Sequence, residues 1–171
     1  MKNIHWMIGA SGGVGKSIVC RLLAETFVTN GSDYVVVQAG AGENRHCGYK
    51  DLKTFKIDML KSGSFEIDYE KIDNLIDKIA GSRESKDWIL DFEESVRTSI
   101  QQYLVELSIL RELVDFGCKN IFHIVIPGGG SSFLRFNGLN RKFKVCWEEL
   151  KRYFFGKTNF LEMLTVRLKQ Y

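Results

Sequence analysis

Short apolar runs alternate along the chain with segments in which apolar residues recur at helical spacing. The runs typical of buried strands are Ile4 to Ile8, Tyr34 to Val37, Asp87 to Asp91 and Lys119 to Ile126. The helical patterns run from Ile18 to Val28, from Tyr69 to Ile79 with Asp68 as the cap, and from Ser99 to Phe116. Because strands and helices alternate, the pattern predicts an α/β sandwich with a mainly parallel sheet.

The remaining segments have weaker patterns. Loops are predicted for Gln38 to Gly48 and for residues 58–68, whereas Tyr49 to Ile57 fits either a short helix or a strand. Toward the C-terminus the pattern predicts a weak strand, a short helix and a final helix, over Phe143 to Trp147, Glu148 to Phe155 and Asn159 to Gln170. The final helix would present Phe160, Leu161, Leu164 and Leu168 on one face. We expect that face to pack on the sheet rather than lie on a membrane, because the helix is short and the sheet needs covering.

A glycine-rich loop joins the first predicted strand to the first predicted helix. Its sequence is Gly9-Ala10-Ser11-Gly12-Gly13-Val14-Gly15-Lys16-Ser17. Glycines allow successive backbone N–H groups to surround a phosphate, and the positive end of the following helix points at it. We therefore assign a nucleotide-phosphate site to Gly12, Gly13, Val14, Gly15, Lys16 and Ser17. The alternative is a tight turn that closes a strand-helix unit and binds nothing.

Two side chains of this loop have specific predicted roles. Lys16 reaches the β- and γ-phosphates as a point charge, and the Ser17 hydroxyl ligates the Mg²⁺ that bridges them. One position departs from the general pattern, because Ala10 stands where glycine is expected. That change adds only a methyl group.

A carboxylate at the end of the strand from Asp87 to Asp91 is the second candidate for the metal. Ligands of parallel sheets bind at the carboxyl ends of the strands, which brings Asp91 close to the glycine-rich loop. We expect Asp91 to hold the Mg²⁺ through a water molecule. The alternative is that it caps the turn that follows.

Composition limits the class of protein. A chain of 171 residues with 44% hydrophobic and 26% charged residues is predicted to fold as one domain over residues 1–171. No apolar run approaches the roughly 18 residues of a membrane-spanning helix, and we expect a cytoplasmic protein. The four cysteines and three histidines are scattered, which favours reduced thiols and no zinc site. His123 lies within a predicted strand and is interpreted as a hydrogen-bonded core residue.

Charge is distributed unevenly along the chain. Residues 1–134 carry 15 Lys and Arg against 18 Asp and Glu, whereas residues 135–171 carry 9 against 3. The basic C-terminal third could face nucleic acid, an acidic partner or nucleotide phosphates. A solvated basic face is favoured over a dedicated nucleic-acid surface, because the excess of positive charge is modest.

The loop sequence from Ser11 to Ser17, followed by a hydrophobic second strand, resembles the deviant Walker A ATPases of the MinD/ParA type. Within that group it is most similar to the TraL/MobD proteins of conjugative and mobilisable plasmids. Three further stretches resemble TraL segments in the same order: Gly48 to Leu52, Tyr69 to Asp91 and His123 to Gly129. The resemblance covers residues 1–135. It implies a three-layer P-loop NTPase sandwich, ATP or ADP with Mg²⁺ as cofactors, a protein partner from the DNA-transfer machinery, and a homodimer as one possible assembly.

The chain departs from this group at positions that carry chemistry. Members of the group have a signature lysine, which reaches the partner subunit's phosphates, where this chain has Ser11. They also end the second strand on Asp-x-Asp, where this chain has Gln38-Ala39-Gly40. Losing both groups predicts nucleotide binding with slow or absent hydrolysis. Glu43, Glu93 and Glu94 are candidates for a replacement acid, and their spacing does not distinguish among them.

Three functions remain open at this point. The first is a nucleotide-dependent switch in DNA transfer or partitioning. The second is a small P-loop kinase that uses Arg135, Arg141 or Arg152 as a phosphate clamp, although neither an acid at the end of an early strand nor an arginine-rich lid is evident. The third is a degenerate P-loop domain that acts only as an interaction module. Base preference depends on later loops, here Pro127 to Ser132, and ATP is implied by the resemblance alone.

Overall fold

The computed structural model of the chain describes residues 2–9, 13, 15–41, 52–127 and 162–168. These residues form six strands: β1 (Lys2–Gly9), β2 (Tyr34–Gly40), β3 (Thr54–Asp58), β4 (Asp87–Phe92), β5 (Cys118–Pro127) and β6 (Glu162–Leu168). They also form four helices: α1 (Lys16–Thr29), α2 (Tyr69–Gly81), α3 (Glu94–Glu106) and α4 (Ile109–Asp115).

The strands form one sheet in which every pairing is parallel. Their order is β3-β2-β4-β1-β5-β6, so that β1 lies between β4 and β5. Trp6 of β1, for example, is aligned with Leu90 of β4 and with Phe122 of β5. Because the strands are parallel, all their carboxyl ends lie along one edge of the sheet. The carboxyl ends of β1 and β4 are neighbours on that edge.

Helices cover both faces of the sheet. On one face α1 packs against an apolar cluster that includes Met7 and Ile89. On the other face α2, α3 and α4 cover a larger cluster that includes Trp6 and Leu90. Successive residues of β4 thus point to opposite helical layers, and burying each such side chain contributes about 1.5–3 kcal/mol. The predicted three-layer α/β sandwich with a parallel sheet is confirmed.

The second strand is longer than its sequence pattern predicts. The predicted loop from Gln38 to Gly48 is wrong at its start, because Gln38 to Gly40 pair with neighbouring strands and extend β2 to Gly40, while residues 42–48 lie outside the described part of the chain. β2 lies between β3 and β4, so its backbone groups find partners on both sides in spite of a glycine-containing sequence. For Tyr49 to Ile57 the sequence allowed either a short helix or a strand. The structure shows a strand over Thr54–Asp58.

The predicted helix from Ser99 to Phe116 is two helices. α3 begins earlier, at Glu94, and α4 follows after a break at Ser108, whose backbone is left-handed with φ of 55°. The break changes the helical phase: Leu104 and Ile109 are both buried, whereas Leu107 between them is 51% exposed. In a continuous helix Leu104 and Ile109 would point in directions about 140° apart. The break therefore allows both helices to turn their apolar side chains toward the sheet.

The predicted final helix is wrong. Residues 162–168 form β6, which lies parallel to β5 with Glu162 beside Ile121 and Leu168 beside Pro127. Leu164, Val166 and Leu168 also alternate with Thr165 and Arg167, a period-two pattern that competes with helical spacing. Pairing with the open edge of β5 decides the competition, so the helical face expected of Leu164 and Leu168 does not form, and Phe160 and Leu161 lie outside the described residues.

The other predicted elements have mixed outcomes. Strands β1, β4 and β5 and helices α1 and α2 are confirmed. Asp68 does occupy the N-cap position of α2, but its side chain makes no capping hydrogen bond. The predicted strand at Phe143 to Trp147 and helix at Glu148 to Phe155 lie outside the described residues, and a single domain over residues 1–171 stays a prediction. None of the helices among the described residues has the length and apolar character needed to cross a membrane.

Candidate phosphate-binding site

The glycine-rich loop leads into α1 through residues with left-handed backbone. Gly13 has φ of 72° and Gly15, the N-cap residue of α1, has φ of 94°. Side chains rarely tolerate these conformations, which explains why glycine stands at both positions. In α1, which is described from end to end, Gly15 provides no side-chain cap and the first turn contains no acidic residue. The helix therefore presents its positive end without a neutralising group of its own, which suits an anion.

Ser17 is hydrogen-bonded to the strand acid that the sequence singles out. Its Oγ donates to Oδ2 of Asp91 over 2.9 Å. The contact joins the first turn of α1 to the end of β4, and Asp91 is buried, with 7% of its surface exposed. Because the serine proton points to the carboxylate, the lone pairs of Oγ remain available for a cation. Asp91 thus contacts Ser17, as the shared carboxyl edge of a parallel sheet predicts.

Lys16 lies at the same helix end with its side chain 8% exposed. Its Nζ is 3.7 Å from Oε2 of Glu94. Burial lowers the pKa of Lys16, and the charge of Arg97 lowers it further, while Glu94 and Asp91 oppose the change. An ammonium group held out of water in this way gains strongly from a bound anion, because the anion replaces the hydration that burial removes.

The sequence pattern misses Arg97, and it names Glu94 as a candidate acid without indicating that this carboxylate lies against Lys16 and Arg97. Arg97 Nη2 is 2.7 Å from Oε1 of Glu94, so one carboxylate lies against two cations. Glu94 is half-exposed, whereas Arg97 is buried. The signal that could have revealed them is the i, i+3 spacing on a helix that begins directly after the Asp91 strand.

The oxygen donors of this site fit Mg²⁺. Mg²⁺ takes oxygen ligands and, in nucleotide sites, is commonly held by one or two protein groups together with phosphate oxygens and water. The Ser17 hydroxyl and the Asp91 carboxylate are adjacent, as two protein groups in such a site have to be. Among the residues with described positions, no group of three or more His, Cys, Asp and Glu side chains is arranged to hold a metal ion.

The end of β2 lies beside the end of β4 at the same edge. Gln38 is aligned with Asp91, and Ala39 with Phe92. Glu93, one of the three candidate acids, is placed against this strand end: its N–H donates to the Ala39 carbonyl over 2.9 Å. Its Oε2 accepts a hydrogen bond from the Ala41 N–H over 3.2 Å.

Other candidate residues lie outside the described part of the chain. They are Ala10, Ser11, Gly12 and Val14 of the glycine-rich loop, the candidate acid Glu43, residues 128–132 of the stretch proposed to set base preference, and Arg135, Arg141 and Arg152 of the kinase alternative. Their assignments stay predictions.

His123 belongs to a buried polar chain. His123 Nε2 is 2.8 Å from His5 Nδ1, and His5 Nε2 is 3.1 Å from Asp87 Oδ1. The prediction of a hydrogen-bonded core histidine is confirmed. Cys20 and Cys118 are buried, while Cys47 and Cys146 lie outside the described residues, so the expectation of reduced thiols stays a prediction.

No family model matches the chain. Two relatives match the chain in sequence. Both are protein TraL from Escherichia coli, with 25% and 26% identity over 129 residues. The matches cover 75% of this chain and 52% of each relative, so the chain spans about half the length of the TraL proteins it matches. Among solved structures, a ParA family ATPase from Chlorobium tepidum TLS aligns with a TM-score of 0.49 and 15% identity, over 96% of this chain and 73% of that chain.

The TraL matches agree with the resemblance that the loop and the later segments indicate. The structure adds a parallel sheet at whose edge the first turn of α1, with the buried Lys16, lies beside the strand-end Asp91. The chain is therefore similar in sequence to the TraL proteins over 129 residues and has the parallel α/β architecture expected of a P-loop fold.

Proposed function

We propose that the chain is an ATP-binding accessory protein of plasmid conjugation, mobilisation or partitioning, which acts as a nucleotide-dependent switch with weak or absent hydrolysis. The observation that carries this proposal is the hydrogen bond between Ser17 and Asp91, with the buried Lys16 beside it at the start of α1. These are the three side chains that a phosphate loop needs for Mg²⁺ and phosphate.

Each residue has a separate task in the proposed site. Gly12 to Gly15 and the first turn of α1 supply backbone N–H groups to the phosphates, and Lys16 supplies the positive charge. Ser17 and Asp91 hold the magnesium ion, Asp91 through water. When bound, Mg²⁺ neutralises charge on the phosphate oxygens. Glu94 is close enough to Lys16 to compete with the nucleotide for that ammonium group.

We expect weak hydrolysis because Ser11 stands where the resembling ATPases have their signature lysine. A lysine there would stabilise the transition state of phosphoryl transfer more than the bound nucleotide. Cations with that role are worth on the order of 10³ to 10⁵ in rate in other phosphoryl-transfer enzymes. Binding does not depend on such a group, so affinity is expected to survive its loss.

The proposed cellular role follows from the TraL relatives. The TraL/MobD type that the sequence resembles belongs to conjugative and mobilisable plasmids. A protein partner from the transfer machinery would bind the nucleotide-bound and nucleotide-free forms with different affinity. A cytoplasmic location and a homodimer stay predictions. Direct nucleic-acid binding by the basic residues 135–171 is not favoured, because the charge excess there is modest.

Calorimetric titration with Mg²⁺-ATP, Mg²⁺-ADP and Mg²⁺-GTP, followed by a phosphate-release assay on the same sample, tests the proposal. The expected result is saturable binding with little turnover, and loss of that binding in Lys16→Ala. Unchanged affinity in Lys16→Ala would refute the phosphate-loop assignment. Phosphate transfer to nucleosides or small alcohols would instead support the kinase alternative.

A further inference from the structure

The end of β2 has no acidic side chain of its own at the positions where the resemblance expects two. Gln38 and Gly40 stand there, both on the strand that pairs with β4. Along β2 and β4, Val36 and Ile89 point toward α1. By the two-residue period of a strand, Gln38, Gly40 and Asp91 belong to this same face, which is the face of the phosphate loop.

The carboxylate of Glu93 occupies the space that a side chain at residue 40 would need. A Cβ atom added to Gly40 would overlap the Glu93 carboxyl carbon and lie 2.5 Å from its Oε2 and 2.6 Å from its Cγ. Gly40 is not among the glycines with positive φ, so its backbone does not require glycine. What glycine provides at this position is room for the Glu93 side chain.

Two backbone contacts hold Glu93 in this place. Its N–H bonds to Ala39, which continues the ladder between β2 and β4 by one residue beyond Phe92. Its Oε2 accepts from Ala41 N–H. Asp91 and Glu93 are two residues apart, and the Glu93 side chain lies against Gly40, on the face of the sheet to which Asp91 belongs.

Glu94, the neighbouring candidate, is engaged elsewhere. Its two carboxylate oxygens lie against Lys16 and Arg97. Glu93 has no ion pair of this kind among the described contacts, and its carboxylate lies at the end of β2. The geometry thus separates two acids that the sequence leaves equivalent.

We propose that Glu93 supplies, from the end of β4, the acidic group that the second strand lacks, and that its carboxylate accepts hydrogen bonds from water on the magnesium ion of a bound nucleotide. The inference rests on the function proposed above. Glu93 is a positioning residue in this role, since it acts on the ion through water. Its effect should therefore appear in the coupling between Mg²⁺ and nucleotide rather than in nucleotide binding itself.

The test compares ADP affinity in Mg²⁺ with ADP affinity in EDTA by titration calorimetry. For Glu93→Gln we expect the apparent affinity of Mg²⁺ for the protein–ADP complex to fall about 10- to 100-fold. This is the range typical of groups that orient metal ligands. Affinity in EDTA should stay within about twofold of the wild type, because the phosphate-binding groups are unchanged. Glu70→Gln, which removes an exposed carboxylate on α2, is the matched control and should change neither value.

A relocation variant tests the role independently of any local disturbance. Gly40→Asp combined with Glu93→Ala moves the carboxylate to residue 40 of β2. It also removes the Glu93 side chain, which would otherwise overlap the new aspartate. We expect this double variant to recover most of the Mg²⁺ enhancement that Glu93→Ala alone loses.

Two results would overturn the inference in distinguishable ways. A wild-type protein that binds ADP more tightly with Mg²⁺, together with a Glu93→Gln variant that keeps the full enhancement, would reject the role of Glu93 and leave the proposed function intact. A wild-type protein that binds no nucleotide in either buffer would reject the proposed function and, with it, this role.

Discussion

Replacing Lys16 with methionine should separate ligand binding from stability. Methionine keeps an unbranched apolar stem of similar length in the buried position but removes the ammonium group. Burial already disfavours the charged form of Lys16, as its lowered pKa indicates. The residue is therefore expected to contribute to the ligand complex at a cost to the free protein.

The two effects can be estimated from the contacts. A hydrogen bond to a charged group is worth about 1.5–3 kcal/mol, so Lys16→Met should weaken ATP binding about 10- to 150-fold. In the free protein the variant loses an ion pair to the half-exposed Glu94, with the atoms 3.7 Å apart. Such pairs contribute about 0–1 kcal/mol, whereas removing a desolvated charge gains on the order of 1 kcal/mol. The free energy of unfolding should stay the same or rise by up to about 1 kcal/mol.

The pH dependence of stability tests independently whether Lys16→Met stabilises the free protein. A lysine with a lowered pKa in the folded state binds fewer protons folded than unfolded between its two pKa values, so wild-type stability from this group rises with pH there. The advantage of Lys16→Met should be fully present below the lowered pKa and shrink as the pH approaches 10.5.

Urea denaturation and ATP titration of the same samples measure both quantities. Lys53→Met is the matched control, because Lys53 is 66% exposed and pairs with Asp33 away from the phosphate loop. It should leave ATP affinity unchanged. A Lys16→Met variant that binds ATP normally but loses more than about 2 kcal/mol of stability would show that Lys16 is a structural residue, and would refute the reasoning.

Three further substitutions test other parts of the structure. Glu94→Gln should strengthen ATP binding about fivefold in calorimetry, because it removes a negative charge that competes for Lys16, worth on the order of 1 kcal/mol. Asn120→Ala should cost about 2–4 kcal/mol in urea denaturation, since it leaves buried partners at Trp6 and Leu110 without their hydrogen bonds. Ser108→Gly should raise the free energy of unfolding by up to about 1 kcal/mol, because glycine relieves the left-handed backbone between α3 and α4.

Each of these has an outcome that counts against it. Weaker ATP binding in Glu94→Gln would mean that Glu94 supports the nucleotide site instead of competing with it. A loss below about 0.5 kcal/mol in Asn120→Ala would mean that water reaches these groups. Destabilisation by Ser108→Gly would mean that the serine side chain, not its backbone, matters at the break.

Local sequence was enough where one pattern dominated. The strand β1 and the helix α1 could be predicted because an apolar run and a helical spacing lie on either side of a glycine-rich motif without competing signals. Asp91 could be placed near Ser17 for a topological reason, since both had to lie at the carboxyl edge of a parallel sheet.

Long-range pairing decided the positions that could not be predicted. Residues 162–168 carry helical and alternating spacing at once, and only the edge of β5 selects the strand. The helix break at Ser108 depends on how α3 and α4 meet the sheet. Glu93 and Glu94 are adjacent and chemically identical, so only the contacts with Ala41 on one side and Lys16 on the other distinguish them.

Hydrogen exchange with and without Mg²⁺-ATP tests the central claim most directly, because it locates the ligand on the chain. We predict slowed exchange in peptides that span the end of β1 and the first turn of α1, and in those that cover the end of β4, with the protection at α1 abolished in Lys16→Ala. Protection confined to other segments, or no change at saturating nucleotide, would contradict a nucleotide site at this loop.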